Sequence, residues 1–250
     1  MSEFLADLVR WFIDNPWGPT GYVARTWEHI WISSWSVLAA MIIAIPLAAW
    51  LGHTGRGGLL AVSIVNIGRA LPSFGILALA LPITIRIARN VDFVESGLGF
   101  LPTFIALVAL ALPPIFTNTY AGIRAVSPDT VEAARGMGIR GGRILTQIEL
   151  PMASPVILAG IRTSAVQVVA TATLGALVAY GGLGRFIIDG FAVRNNIQIM
   201  GGALLVALLS IVTEVAFSLV ERVVVPKPLR SGGGPAEEAE IAAEVVAATS

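Results

Sequence analysis

The stretch "VEAARGMGIRGGRILTQIELP", residues 131–151, decides how this chain is read. Glu132, Arg135, Arg140, Arg143 and four glycines make it polar and interrupted, yet long apolar runs stand on both sides of it. The chain as a whole is 56% hydrophobic and 13% charged, with a mean hydropathy of +0.81, too oily to present water-wetted surface all round. Near-continuous apolar runs occupy 30–51, 59–85, 98–115, 152–180 and 197–220. Each reaches the ~18–20 residues that cross a ~30 Å hydrocarbon core. An all-α integral membrane protein with five spans is expected, at about 30–51, 59–85, 98–117, 152–180 and 197–222. The length of the fourth run leaves open a six-span alternative with a break near Ala170.

Composition excludes several classes. The net charge is zero, so no nucleic-acid partner is implied. There are no cysteines, hence no disulfide, thiolate ligand or thiol nucleophile. The first residues carry Glu3, Asp7, Asp14, Pro16 and Pro19, unlike the basic and then apolar regions of a cleaved signal peptide. No phosphate-binding GxxxxGK[ST] occurs; the single lysine, Lys227, is followed by proline. His29 and His53 are the only histidines and no HExxH exists, so neither an enzyme nor a metal site is expected, and no residue is assigned as catalytic. A secondary carrier usually shows repeated halves and intramembrane carboxylates. Here there is no repeat, and only Glu214 lies clearly inside a span. A membrane scaffold is disfavoured only by the loop, which a scaffold would not need.

Residues 1–26 read as an external segment with an amphipathic surface helix over 3–14. All six tryptophans fall in the first fifty residues, and Trp27, Trp31 and Trp35 share one helix face. They suit an interfacial aromatic belt, or a cation–π surface for a quaternary amine. With the loop at 120–150 cytoplasmic, eight basic residues lie inside (Arg56, Arg124, Arg135, Arg140, Arg143, Arg222, Lys227, Arg230) and six outside (Arg10, Arg25, Arg86, Arg89, Arg185, Arg194). That bias places the N-terminus outside and the C-terminus in the cytoplasm, and an odd number of spans agrees. Residues 185–191 suggest a short external helix. The Gly-, Ala- and Glu-rich tail, 226–250, is expected to be disordered.

Within the loop, Pro128 suits a first helical turn, and Asp129 with Glu132 suggests a capping box. Gly136 and Gly138 should stop this helix, Gly141 and Gly142 extend the turn, and a second short helix should run over 143–149. Pro151 then starts the next span. The expected product is a helix–turn–helix lying along the membrane over 124–150, an amphipathic knob for a partner's groove.

Glu132-Ala133-Ala134, three residues, Gly138, nine residues, Ile148, one residue and Leu150-Pro151 resemble the EAA loop of ABC importer permeases over its full length. "NIGRALPSFGILAL", "TNTYAGI", "ELPMASPVILAGIRTSAV" and "AYGGLGRFIIDG" are similar to permeases of osmoprotectant importers for glycine betaine, choline, carnitine or proline betaine, while methionine and sulfonate permeases share a looser pattern. The resemblance covers roughly 27–224. It implies a type I importer permease core with a cytoplasmic coupling helix formed by Glu132, Ala133, Ala134, Gly136, Gly138, Ile148, Leu150 and Pro151. It further implies a separate ATP-binding subunit that uses ATP and Mg, no cofactor on this chain, a second permease chain, identical or paralogous, and an extracytoplasmic substrate-binding protein.

A second set of residues follows from depth. Arg69, Arg162 and Glu214 lie ~12–15 Å into their spans at ~1.5 Å per residue. Each costs about 2.5–3.5 kcal/mol at a helix centre unless paired or hydrated. They are expected to face the bundle interior with Asn66 and Gln167. Glu214 should lie near one of the arginines, as a structural network or as part of the solute path.

Overall fold

The computed structural model describes residues 2–70, 72–90 and 96–225. The tail at 226–250, expected to be disordered, lies outside the described residues, and so does the side chain of Arg69. Helix α1, Ser2–Asp14, buries Leu8 and sets Trp11 edge-on against Phe186, with ring centroids 5.2 Å apart. Helix α2, Tyr22–Thr54, carries the first apolar run and extends it at both ends. It stops at Gly55, whose φ of +67° is the left-handed conformation that glycine adopts without a Cβ penalty.

The expected second span is corrected. The run 59–85 is two helices, α3 (Gly58–Ala70) and α4 (Ser73–Asn90), separated at Pro72. Proline removes a backbone donor and disfavours helix at the position before it, so such a run can break although its hydropathy is continuous. Only α4 of the two is long and apolar enough to cross a membrane. Helix α5, Phe100–Arg124, runs through Pro113 and Pro114, and just upstream of that pair the Ser164 hydroxyl donates to Ala111 O at 2.9 Å.

From Gly141 onward the loop and the fourth run are one helical path. Helix α6 is Pro128–Gly136 and α7 is Gly141–Ile144. A π turn at Leu145–Glu149 leads directly into α8, Leu150–Thr171, and a 3₁₀ stretch, Ala172–Val178, completes it. Two local expectations are therefore corrected. Gly141 and Gly142 open the second helix instead of extending the turn. Pro151 lies inside the continuous helix: Leu150 N–H reaches back five residues to Leu145 O, and this wider turn accommodates the following proline's bulk and missing donor. The capping box does not form either. Ser127 occupies the N-cap of α6 without a side-chain bond, and its carbonyl accepts from Thr130 N–H at 3.1 Å. Helix α9, Gly184–Ala192, forms where a short helix was expected, and α10, Asn196–Val224, follows it.

Among the described residues five segments qualify as spans: Tyr22–Thr54, Ser73–Asn90, Phe100–Arg124, Gly141–Val178 and Asn196–Val224. Five spans and no strand among the described residues match the all-α architecture expected. Its core lies where α2, α5 and α8 meet, with Ile32, Ala40, Ala44, Ala111, Ile115, Phe116, Ala165 and Val168 buried there. Small residues dominate because lipid offers no hydrophobic drive, so the backbones must approach closely. Gly160 shows how closely: a Cβ there would stand 2.8 Å from Pro114 O of α5.

Candidate functional site

The loop presents one face to the bundle and the other outward. Ala134 is buried, at 1% exposure, and Ile144 is buried completely. Glu132, Ala133, Gly136 and Gly138 are exposed, and Met137 stands at the tip with 73% exposure. The end of α6 is a Schellman cap. Gly138 N–H donates to Arg135 O at 2.9 Å and Ile139 N–H to Ala134 O at 3.1 Å. Gly138 holds φ +78°, with nothing within 4 Å of an added Cβ. Ile148 and Leu150 are half-buried and root the loop in the bundle, whereas Pro151 is exposed. Behind α6 opens a cavity of about 190 Å³, bordered by His53, Arg124, Glu132, Arg135 and Glu149.

Two polar joints, each with one buried side chain, tie α2 to the α8 path and the turn that follows it. At one end His53 Nδ1 donates to the Glu149 carboxylate, Oε2, at 2.5 Å. At the other, the His29 ring is fully buried; Nε2 donates to Val169 O at 2.8 Å, and Leu183 N–H donates to Nδ1 at 3.3 Å. A carbonyl can only accept, so this ring is neutral with its proton on Nε2. Beside it the Glu28 carboxylate accepts from Gly182 N–H at 2.7 Å and from Arg25 Nη1 at 2.8 Å, while the Tyr180 hydroxyl donates to Glu28 O at 2.9 Å. Burial, and then the Glu28 charge, push the Tyr180 phenol up to about 12.

Of the intramembrane residues singled out from sequence, Arg162 and Glu214 are neighbours: Nε lies 3.5 Å from Oε1. The same guanidinium reaches Glu221 Oε2 at 3.3 Å and Ser218 Oγ at 3.4 Å. Arg162 thus clasps one face of α10. Sequence reasoning missed Glu221, although Glu214, Ser218 and Glu221 at i, i+4 and i+7 were the available signal. The pair is half-open, with side-chain exposures of 33% and 48%, and is not enclosed in the bundle. Asn66 and Gln167 are exposed and do not join it. Near it, α2, α8 and α10 border a largely apolar cleft of about 510 Å³ that includes the buried Ser33. The tryptophan stripe faces outward as a ladder, Trp27–Trp31 at 6.4 Å and Trp31–Trp35 at 5.6 Å, without closing around a common centre. That arrangement fits an interfacial belt.

Comparison with known proteins agrees with this geometry. Residues 35–230 match the family described as binding-protein-dependent transport system inner membrane component. The chain is 35% identical over 208 residues to the carnitine transport permease protein OpuCB of Listeria monocytogenes, covering 83% of this chain and 90% of that one. It is also 35% identical over 206 residues to the glycine betaine/carnitine/choline transport system permease protein OpuCB of Bacillus subtilis, covering 82% and 89%. Among solved structures, a chain of the inward-facing MetNI methionine ABC transporter superposes with a TM-score of 0.72 at 23% identity, over 82% of this chain and 96% of that one. At that identity the likeness is one of fold.

Proposed function

Because this chain belongs to the family of inner-membrane components of binding-protein-dependent transport systems, we propose that it forms half of the pathway of an ATP-driven importer of quaternary-ammonium osmoprotectants. The solutes are glycine betaine, carnitine and choline. A separate ATP-binding subunit hydrolyses Mg-ATP, an extracytoplasmic binding protein delivers the solute, and a second permease chain, identical or paralogous, completes the path. The observation that carries this reading is the projecting α6 knob, exposed at Glu132, Ala133 and Met137, rooted by Ala134 and Ile144, and closed by the Gly138 cap. An apolar and polar helix end offered to solvent in this way suits a groove on a soluble partner.

Glu132, Ala133, Ala134, Gly136 and Gly138 form the docking segment, and Ile148, Leu150 and Pro151 transmit its movement. The loop faces the cytoplasm, with Arg56, Arg124, Arg135, Arg140 and Arg143 on the same side, and the N-terminus lies outside with α1 and α9. Arg162 with Glu214 and Glu221 fastens α10 to α8 at the edge of the solute path. A methionine importer has only the fold in its favour, whereas the relatives above 30% identity are named for quaternary amines.

The test is uptake of labelled betaine, choline, carnitine and proline in a strain lacking other osmolyte carriers, with the chain expressed beside its partner subunits. Saturable, ATP-dependent uptake of the quaternary amines and co-purification of an ATPase are expected. Uptake driven by an ion gradient without an ATPase would refute the reading.

A further inference from the structure

The joint between α2 and the loop has a construction that docking alone does not explain. Glu149 is 4% exposed, and its one hydrogen-bond partner among the described residues is His53, in the last turn of α2 and 96 positions away. The π turn puts it there. Ile144 and Glu149 are five residues apart, about 140° around an α-helix. Both are nevertheless buried, because the π turn spreads five residues over one turn. Glu149 then continues the buried stripe of Ala153, Ile157, Gly160 and Ser164 down α8. An unbroken α-helix could keep that stripe or Ile144 inward, but not both.

The opposite end of α2 is fastened to the same path. Glu28 and His29 bind Val169, Gly182 and Leu183. From His29 to His53 is about 36 Å of helix at ~1.5 Å per residue. A single joint would leave α2 free to pivot on α8. Two joints that far apart, with packed apolar side chains between them, do not.

We infer that His53 and Glu149 form a lasting brace that makes the loop, α2 and α8 one rigid lever, so that displacement at the loop reaches the opposite membrane face instead of being absorbed at the joint. His53 and Glu149 are positioning residues: they touch neither solute nor nucleotide. The inference rests on the proposed docking of an ATPase to α6.

The test uses the full complex in proteoliposomes and reads solute taken up per ATP hydrolysed. Glu149→Ala should keep its ATPase activity and lose about tenfold in that ratio, in the range of ordinary coupling between sites. Glu149→Gln, which still bonds to His53, should stay near the parent ratio. Uptake and ATPase falling together with an unchanged ratio would make the pair merely structural and overturn the brace. If Glu149→Ala does not accumulate, the double variant His53→Cys/Glu149→Cys decides, because the parent chain has no other thiol. Joined by a short bis-methanethiosulfonate, each arm forming a disulfide with one cysteine and releasing methanesulfinate, it should couple like the parent; arrest on joining would show that the contact opens during the cycle and overturn the brace. Docking is read separately, by capture of the ATPase subunit. Glu132→Arg with Met137→Asp should abolish capture, and undiminished capture would refute docking whatever the Glu149→Ala ratio shows.

Discussion

Gly138 closes α6 at φ +78° with open space around its missing Cβ. A side chain there meets no neighbour, so the effect of substitution is the backbone preference alone. For L-residues that preference opposes the left-handed region by about 1–2 kcal/mol. One or two kcal/mol changes a conformational ratio by a factor of about 5–30. If α6 must end in this cap to fit its partner, Gly138→Ala lowers the docking-competent fraction by that factor and weakens capture of the ATPase subunit equally. Gly138→Val should be worse, because β-branching adds to the penalty. Gly138→Asn should recover much of the loss, since asparagine is enriched several-fold in the left-handed region. Gly138→Asp keeps some of that tolerance but adds a charge to the exposed face; it should loosen the ATPase and abolish uptake while the protein remains inserted. The assay is equilibrium capture of the ATPase subunit by each variant in nanodiscs, with insertion checked in parallel. Parent affinity for Gly138→Ala, or an asparagine variant as weak as the valine one, would refute the reasoning.

Further outcomes are expected elsewhere in the molecule. Arg162→Ala leaves Glu214 and Glu221 without their shared cation and should lower the thermal midpoint in detergent more than Glu214→Gln, which leaves Arg162 its bond to Glu221; equal midpoints would dissolve the clasp. A reporter fused after Val225 should read cytoplasmic and an N-terminal tag external, and both ends on one side would break the five-span topology; deletion of 231–250 should leave uptake at ordinary salt intact. The Tyr180 phenol should hold its proton to about pH 12. The folded protein binds that proton more tightly than the unfolded chain, so its contribution to stability is complete below about pH 10 and is lost as pH rises towards 12. Absorbance titration of the parent against Tyr180→Phe checks this, and a difference signal centred near pH 10 would contradict it.

Much of the architecture was legible because spans advertise themselves by length: the first, third, fourth and fifth apolar runs each became a span, with ends shifted by one to eleven residues. The loop was legible through its glycines and spacing, and α9 through its position after the Tyr180 glycine turn. The second run misled, because hydropathy averages over Pro72 while the backbone does not. Gly141 and Gly142 misled in the opposite sense: glycine permits a turn without requiring one, and Ile144 packed at 0% exposure holds them in helix. Depth drew Arg162 and Glu214 together, but depth says nothing of azimuth, and Asn66 and Gln167 are exposed outside that pair. The partners His53 and Glu149 were out of reach of any local pattern, since their meeting depends on a π turn and on a contact across 96 residues.

Helix α10 has a different standing from the rest of the bundle. Of its 29 residues, only Gly201 and Gly202 are buried. Both lie near its start, Gly201 under the Trp11 ring and Gly202 against Phe186, while the Arg162 clasp holds its far half. The order of synthesis therefore matches the order of burial. α2, α5 and α8 can complete their shared core before the ribosome has released α10, and the last helix joins a finished body. Besides those two glycines and the clasp, it reaches the core through partly buried Phe217, while Ile32, Phe116 and Val168 lie on α2, α5 and α8. Of the five spans, α10 is thus the one whose amides should exchange hydrogen first, and the one where membrane proteases could find a foothold while the core stays folded.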